Sequence, residues 1–272
     1  MKENKNWNGK HIAISRVDSI GDVLLTLPMT AWLKQQFPSC KITFFCKNYT
    51  APIVKQYAAV DNIVKVDDLF TLSKSEQVNA IESLGIDAVV HVFPKKELAK
   101  LFKKAKVPTR IGTSHRLFHL NTCNIRVHFT RKKSPLHEAQ LNFELLRPFG
   151  LEEIPGFETV SNYTSSFSIE PQELPEEFEQ LPGKKYVILH PKSQGSAREW
   201  PMEKYAQLAG ELTANGYEVV FTGTENEGKL FRKEIPENAH CHDSTGKLSI
   251  DQLIWLIKNA SALVACSTGP LH

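Results

Sequence analysis

His11–Pro38 reads HIAISRVDSIGDVLLTLPMTAWLKQQFP. It opens with a short apolar run of strand length. A polar turn containing Gly21 follows, then apolar residues at helical spacing. A strand passing through a tight turn into an amphipathic helix is the start of a βα unit. The pattern repeats. KITFFC (Lys41–Cys46), DNIVKVD (Asp61–Asp67), IDAVVHVF (Ile86–Phe93) and TRIGT (Thr109–Thr113) read as strands. Helices are expected near Ala51–Tyr57, over Leu72–Leu84 and Lys95–Lys106, and around His137–Phe149. Such alternation argues for a parallel sheet covered by helices on both faces.

Gly150–Gly183 interrupts the pattern. It carries Pro155, Pro171, Pro175 and Pro182 and shows no strong helical period before PEEFEQL (Pro175–Leu181). We place the domain boundary there, giving an N-terminal domain over 1–165 and a C-terminal domain over 166–272. The alternation then restarts. YVILH (Tyr186–His190), YEVVFTG (Tyr217–Gly223) and ALVACS (Ala262–Ser267) read as strands. Helices are expected from Trp200 to Gly216 with Pro201 near the first turn, from Thr224 to Ile235 after a short loop, and from Ser249 to Ala260 with Ser249 as N-cap. The sequence ends on the loop TGPLH without a helix to cover the last strand, so we expect an incomplete second domain, a fragment or truncated product.

With 272 residues, 41% hydrophobic and 23% charged, the chain fits a folded soluble protein and excludes long disorder, collagen and a small disulfide scaffold. Cys40, Cys46, Cys123, Cys241 and Cys266 are scattered without a CxxC pair, which suits reduced thiols in the cytoplasm. The N-terminus MKENKNWNGKHIAIS lacks the apolar core of a signal peptide, and no apolar run approaches the roughly 20 residues of a membrane span. A cytoplasmic protein is expected, able to lie against the inner membrane.

Charge is unevenly spread. Lys95–Lys133 holds 12 Lys and Arg against the single acid Glu97, whereas Leu151–Gln180 holds eight Glu and no base. The basic stretch reads either as a solvated face or as a surface for phosphorylated lipid head groups or nucleic acid. Within helix Lys95–Lys106, Leu98, Leu101 and Phe102 suit a membrane interface or a sheet-facing core, the core reading being favoured.

Open α/β sheets bind ligands beyond the carboxyl ends of their strands. This points to the loops RVDSIGD, PKSQGSARE and STGPLH. Asp22 reads as a helix N-cap or as a general base, with Asp18 as the alternative acid. Lys192, Ser193, Gln194, Gly195, Ser196 and Arg198 suit a phosphate, and equally an ordinary surface loop. Ser267, Thr268 and Gly269 bring hydroxyls and amides. No Walker sequence is present and no GxGxxG occupies the first βα turn, which weakens ATPase and nicotinamide-dehydrogenase readings. His115 with His119, and the adjacent Cys241, His242 and Asp243, complete no metal-ligand set, and there is no Asp-x-Asp pair. Neither metal nor cofactor is expected. A departing diphosphate would instead be stabilised by helix N-termini and Arg198.

These loops resemble glycosyltransferase family nine, the bacterial heptosyltransferases that use ADP-heptose. The resemblance is carried, in order, by SIGDVLLTLP (Ser19–Pro28), RIGTSHR (Arg110–Arg116), HEAQLNFELLRPFG (His137–Gly150), HPKSQGSAREWP (His190–Pro201), FTGTENE (Phe221–Glu227), STGKLSIDQL (Ser244–Leu253) and STGPLH (Ser267–His272). It implies a GT-B fold, two Rossmann-like domains with a cleft between them. The acceptor would bind the first domain and an ADP-sugar the second, in an inverting, metal-independent transfer. By this resemblance Asp22 is the base. Ser193 and Arg198 hold the diphosphate, Arg198 standing where a lysine is common. Glu227 meets the ribose, and Thr268, Gly269 and His272 form the closing phosphate loop. Ser267 stands where many members have Asp, which leaves the donor's identity open. The family continues past this point with a terminal helix that returns to the first domain.

Family acceptors are inner-core lipopolysaccharide sugars, acidic and often phosphorylated. The resemblance therefore makes Arg110, Arg116, Lys132, Lys133 and His137 acceptor contacts at the cytoplasmic leaflet, with no nucleic acid as partner. The competing readings are a non-catalytic nucleotide-sugar or nucleic-acid binder and a nucleotide-sugar epimerase, which needs no acceptor.

Overall fold

The computed structural model describes residues 6–132, 134–193, 195, 197–266 and 268–272. It divides into two compact units, Met1–Ser168 and Ile169–His272. In the first, β1 (His11–Ser15), β2 (Lys41–Cys46), β3 (Asn62–Lys65), β4 (Ala88–His91), β5 (Thr109–Thr113) and β6 (Ile125–Val127) form a parallel sheet in the order β3-β2-β1-β4-β5-β6. This is the doubly wound order, and its reversal lies between β1 and β4, where Ser15 pairs with His91. Every residue of β1 is buried. A central strand covered on both faces must be apolar on both, so HIAIS runs without alternation.

Around this sheet lie α1 (Ile20–Leu24), α2 (Pro28–Gln36), α3 (Ala51–Lys55), α4 (Val66–Thr71), α5 (Lys74–Ser83), α6 (Lys96–Lys104), α7 (His119–Thr122), α8 (Glu138–Asn142) and α9 (Phe157–Asn162). The single helix expected after Gly21 is broken in two. Pro28 cannot donate a helical hydrogen bond and instead opens α2, while the Thr26 hydroxyl donates to the Asp22 carbonyl at 2.8 Å. Helix α5 begins later than expected, because Ser73 and Glu76 close a capping box. Past Asn142 the chain tightens into a 3₁₀ stretch, Phe143–Phe149, which contains Pro148. On α6, Leu98, Leu101 and Phe102 pack with Ala13, Phe45 and Val89. The membrane-interface reading of those three side chains is thereby corrected, since they are core.

In the second unit, β7 (Tyr186–His190), β8 (Glu218–Phe221), β9 (Cys241–Asp243) and β10 (Ala262–Ala265) form a parallel sheet in the order β10-β7-β8-β9. It reverses between β7 and β10. Helices α10 (Met202–Ala214), α11 (Glu225–Phe231), α12 (Ile250–Asn259) and α13 (Thr268–Leu271) accompany it. Alternate residues of β7 serve opposite faces. Val187 and Leu189 pack with Tyr205 and Phe231, and Tyr186 and Ile188 with Phe178 and Leu256. The helix expected at PEEFEQL is only a 3₁₀ turn, Glu176–Phe178. Its contribution is Phe178, fully buried, worth about 1.5–3 kcal/mol of apolar transfer. The last segment, read as a loop, forms the helical turn α13.

Candidate active site

Arg16 continues β1 by one residue, its amide donating to the Phe45 carbonyl at 3.0 Å. Its side chain is 5% exposed. Nε donates to Asp18 Oδ1 at 2.7 Å, Nη2 donates to Asp22 Oδ1, and Nη1 lies 3.8 Å from Glu138 Oε1. One guanidinium thus serves three carboxylates, which its rigid fork of donors allows and a lysine ammonium would not. Burying this cation without partners would cost several kcal/mol.

Asp22 is the third residue of α1. The N-cap position belongs to Ser19, which corrects the N-cap reading of Asp22. The Ser19 hydroxyl makes no cap bond and donates to Asp22 Oδ2 at 2.6 Å. Both Asp22 oxygens therefore accept hydrogen bonds, one from a cation and one from a hydroxyl. The Asp22 side chain is 36% exposed and that of Asp18 18%. Burial raises the Asp18 carboxyl above its ordinary range, with Arg16 opposing. Of the two acids, Asp22 is the more open to a ligand.

Neighbouring elements hold this tip. Tyr49 donates its hydroxyl to the Asp18 carbonyl at 2.8 Å, and Asn142 Nδ2 donates to the Leu25 carbonyl at 3.0 Å. His137 caps α8, accepting the Ala139 amide at Nδ1, so the helix that delivers Glu138 starts on a candidate site residue. Arg131 Nε reaches both Glu138 oxygens at 2.9 Å. Arg16, Glu138 and Arg131 were not singled out from sequence. The available signals were a base directly after a buried strand and ahead of two aspartates, and membership of the basic run.

The acceptor candidates differ in their surroundings, and the Arg131–Glu138 pair joins the chain neighbours of Lys132 and His137. Arg110 turns inward, Nε donating to the Thr122 carbonyl at 2.7 Å and Nη1 to the Val107 carbonyl. Arg116, Lys132 and His137 are exposed. Lys133 lies outside the described residues.

At the carboxyl end of the second sheet, His190 closes β7 and its Nδ1 lies 2.9 Å from the Thr222 hydroxyl just past β8. Burial lowers the His190 pKa against the opposing charge of Glu227. The Ser193 amide and hydroxyl donate to Glu199 Oε1 at 2.9 and 3.1 Å, and Lys192 donates to Glu199 Oε2 at 2.9 Å. The hydrogen bond from Lys192 leads the causes that lower the Glu199 pKa. Gly195 has φ +79°, a left-handed turn that favours glycine. Arg198 is exposed and makes no hydrogen bond or ion pair with a described residue. Glu227 is buried, and its Oε2 accepts from the Thr224 amide at 2.7 Å and hydroxyl at 2.9 Å, capping α11. Cys266 Sγ, 3.0 Å from the Pro191 carbonyl, brings the β7 loop beside α13 at the sheet's reversal point. Thr268 and Gly269 open α13, and His272 is exposed. Gln194, Ser196 and Ser267 lie outside the described residues.

Among the described residues no group of three or more His, Cys, Asp or Glu is placed to hold a metal ion. The sequence-adjacent trio scatters. Cys241 is free, His242 Nε2 lies 2.7 Å from Glu218 Oε2, and Asp243 pairs with Arg232 at 2.5 Å. No helix among them is long and apolar enough to cross a membrane.

Two parallel sheets in doubly wound order, each with its loops beyond the carboxyl ends, define the GT-B class of α/β protein. The profile of glycosyltransferase family 9 (heptosyltransferase) matches residues 87–272, and the chain belongs to that family. It is a glycosyltransferase. Lipopolysaccharide heptosyltransferase 3 of Escherichia coli is 23% identical over 265 residues, covering 93% of this chain and 76% of that protein. A glycosyltransferase family 9 structure from Veillonella parvula superposes with TM-score 0.76 at 19% identity, over 97% of this chain and 77% of the other. An E. coli heptosyltransferase solved with ADP-2-deoxy-2-fluoro heptose gives 0.73 at 18% identity, over 95% and 83%.

Proposed function

We propose that the protein transfers a heptose from ADP-heptose to a lipopolysaccharide core acceptor, with inversion, without a metal ion, and with Asp22 as general base. The observation that carries this reading is the Asp22 carboxylate itself. Arg16 fixes one oxygen, and the other already accepts a hydroxyl proton donor, Ser19, at 2.6 Å. An acceptor hydroxyl replacing that of Ser19 would meet a preset base. Its proton passes to Asp22 Oδ2 as its oxygen bonds to the sugar's anomeric carbon. The bond from that carbon to the diphosphate oxygen breaks, and ADP leaves with the electron pair.

The donor is assigned to the second unit. Arg198 and Lys192 supply cationic donors for the diphosphate, and Thr268 and Gly269 supply main-chain amides beside them. The relative solved with an ADP-heptose analogue supports this class of donor, and the named lipopolysaccharide heptosyltransferase supports the acceptor. Work at the cytoplasmic leaflet of the inner membrane, with peripheral attachment, follows from such an acceptor.

The test is ADP release from ADP-heptose with a core acceptor in the presence of EDTA. Asp22→Asn should lower kcat by about 10²–10⁴-fold, the range of a lost general base, with donor Kd unchanged. Normal turnover by that variant would remove Asp22 from the chemistry, and abolition by EDTA would overturn metal independence.

A further inference from the structure

With the apolar side of α6 turned into the core, its outward residues include Lys96, Lys100, Lys103 and Lys104. None of these forms an ion pair with a described residue. Helix α7 packs beside α6 and is firmly seated. His119 is fully buried with Nδ1 2.8 Å from the Thr113 carbonyl, and Phe118 packs edge-on against its ring at 4.6 Å. Yet the same turn holds out two large apolar side chains, Leu117 at 84% and Leu120 at 55% exposure. Arg116, Arg126 on edge strand β6, and His115 and His128 are exposed in the same part of the chain.

We infer that this face, formed by α6, the Arg116–Thr122 turn and β6, seats the protein on an anionic lipid bilayer, with Leu117 and Leu120 entering the head-group layer. The inference deepens the proposed reaction by naming the surface that would meet a lipid-borne acceptor. Three observations choose the occupant. The two leucines stand on an anchored turn, so burying them costs little ordering. Glu97 is the only acid between Lys95 and Lys133, so this segment is itself strongly cationic and attracts anionic head groups, although the adjoining α5 carries exposed Glu76 and Glu82. Lysines without partners are depleted in protein–protein interfaces but are the usual rim of an interfacial membrane site. Nucleic acid would use the bases and have no use for the leucines.

The test is co-sedimentation of the full chain with vesicles of phosphatidylglycerol and phosphatidylcholine, against phosphatidylcholine alone. Binding to the anionic vesicles is expected, weakening as salt rises. The surface double variant Leu117→Ser/Leu120→Ser should weaken it about tenfold or more, and Lys103→Glu/Lys104→Glu should abolish the preference for anionic lipid. A delipidated core acceptor should be turned over by the leucine variant within about twofold of the parent, since neither leucine belongs to the transfer chemistry. Asp22→Asn should bind vesicles as the parent does, so this inference and the catalytic reading fail separately. No binding to anionic vesicles overturns the proposal. So does binding that ignores the leucines, or equal affinity for a single-stranded oligonucleotide that the leucine variant retains, either of which would mark a general polyanion surface.

Discussion

Arg16 shows how one buried side chain organises its surroundings, and His91 shows the cost of one left without partners. His91 ends β4 and is fully buried, its ring against Phe102 and His119 at 5.4 and 5.9 Å. Neither ring nitrogen has a hydrogen-bond partner among the described residues. Burial, aided by His119 and Arg110, lowers its pKa from 6.5 to about 3. Below about pH 6.5 the unfolded chain takes up a proton that the folded chain refuses until about pH 3. Stability therefore decreases as the pH is lowered from about 6.5 towards 3, by up to about 1.4 kcal/mol per pH unit. His91→Leu removes this site and two unsatisfied atoms, so at pH 7 it should be as stable as the parent or more stable by about 1 kcal/mol. Urea midpoints at pH 7 and pH 5 should differ less in His91→Leu than in the parent. His119, also lowered by burial, keeps part of the slope. Equal slopes would assign the titration elsewhere.

At the scale of elements, the turn carrying His119 depends on Gly112 in β5. A Cβ there would stand 2.6 Å from His119 Nδ1 and 2.9 Å from Cys123 Sγ, both buried. Gly112→Ala should cost about 1–3 kcal/mol of overpacking, whereas Gly156→Ala, where a Cβ meets open space, should stay within about 0.5 kcal/mol of the parent. Thermal midpoints of the two variants decide it, and equal midpoints would show that α7 yields freely. The same packing explains what sequence could reveal. β1, β2 and β7 are buried on almost every residue, so they read as apolar runs. β6 and β9 are three-residue edge strands of IRV and CHD, only partly buried, with neither a run nor an alternation to read. The break before Pro28 was legible in principle. Asp22 stood out as a candidate because it falls in the first helical turn after a buried strand. The cluster around Arg16 was not, because Glu138 reaches it from a helix far along the chain, and no local spacing records that meeting.

The whole molecule divides its cores between two units and, with them, the residues of the proposed chemistry. Asp22 and the basic face lie in the unit Met1–Ser168, while the β7 loop, Glu227 and α13 lie in Ile169–His272. Each unit closes its own parallel sheet. Between them 168–175 has no helix or strand, and it is tied to the second unit by the Glu173 carbonyl, which accepts from Gln252 at 2.7 Å, and the Ile169 carbonyl, which accepts from Lys258 at 3.0 Å. Exposed Glu170 and Glu173 lie in this segment. A backbone outside regular structure enters a protease cleft more readily than one within a sheet or helix. Brief digestion with a glutamate-specific protease should therefore cut first within the acidic stretch 151–180 and release two fragments that keep helical circular dichroism. If the donor loops act as proposed, the C-terminal fragment should retain ADP binding, lost in Arg198→Ala, and the N-terminal fragment should retain binding to anionic vesicles. ADP retained by the N-terminal fragment instead would reverse the assignment of donor and acceptor between the two sheets, and with it the place given to Asp22.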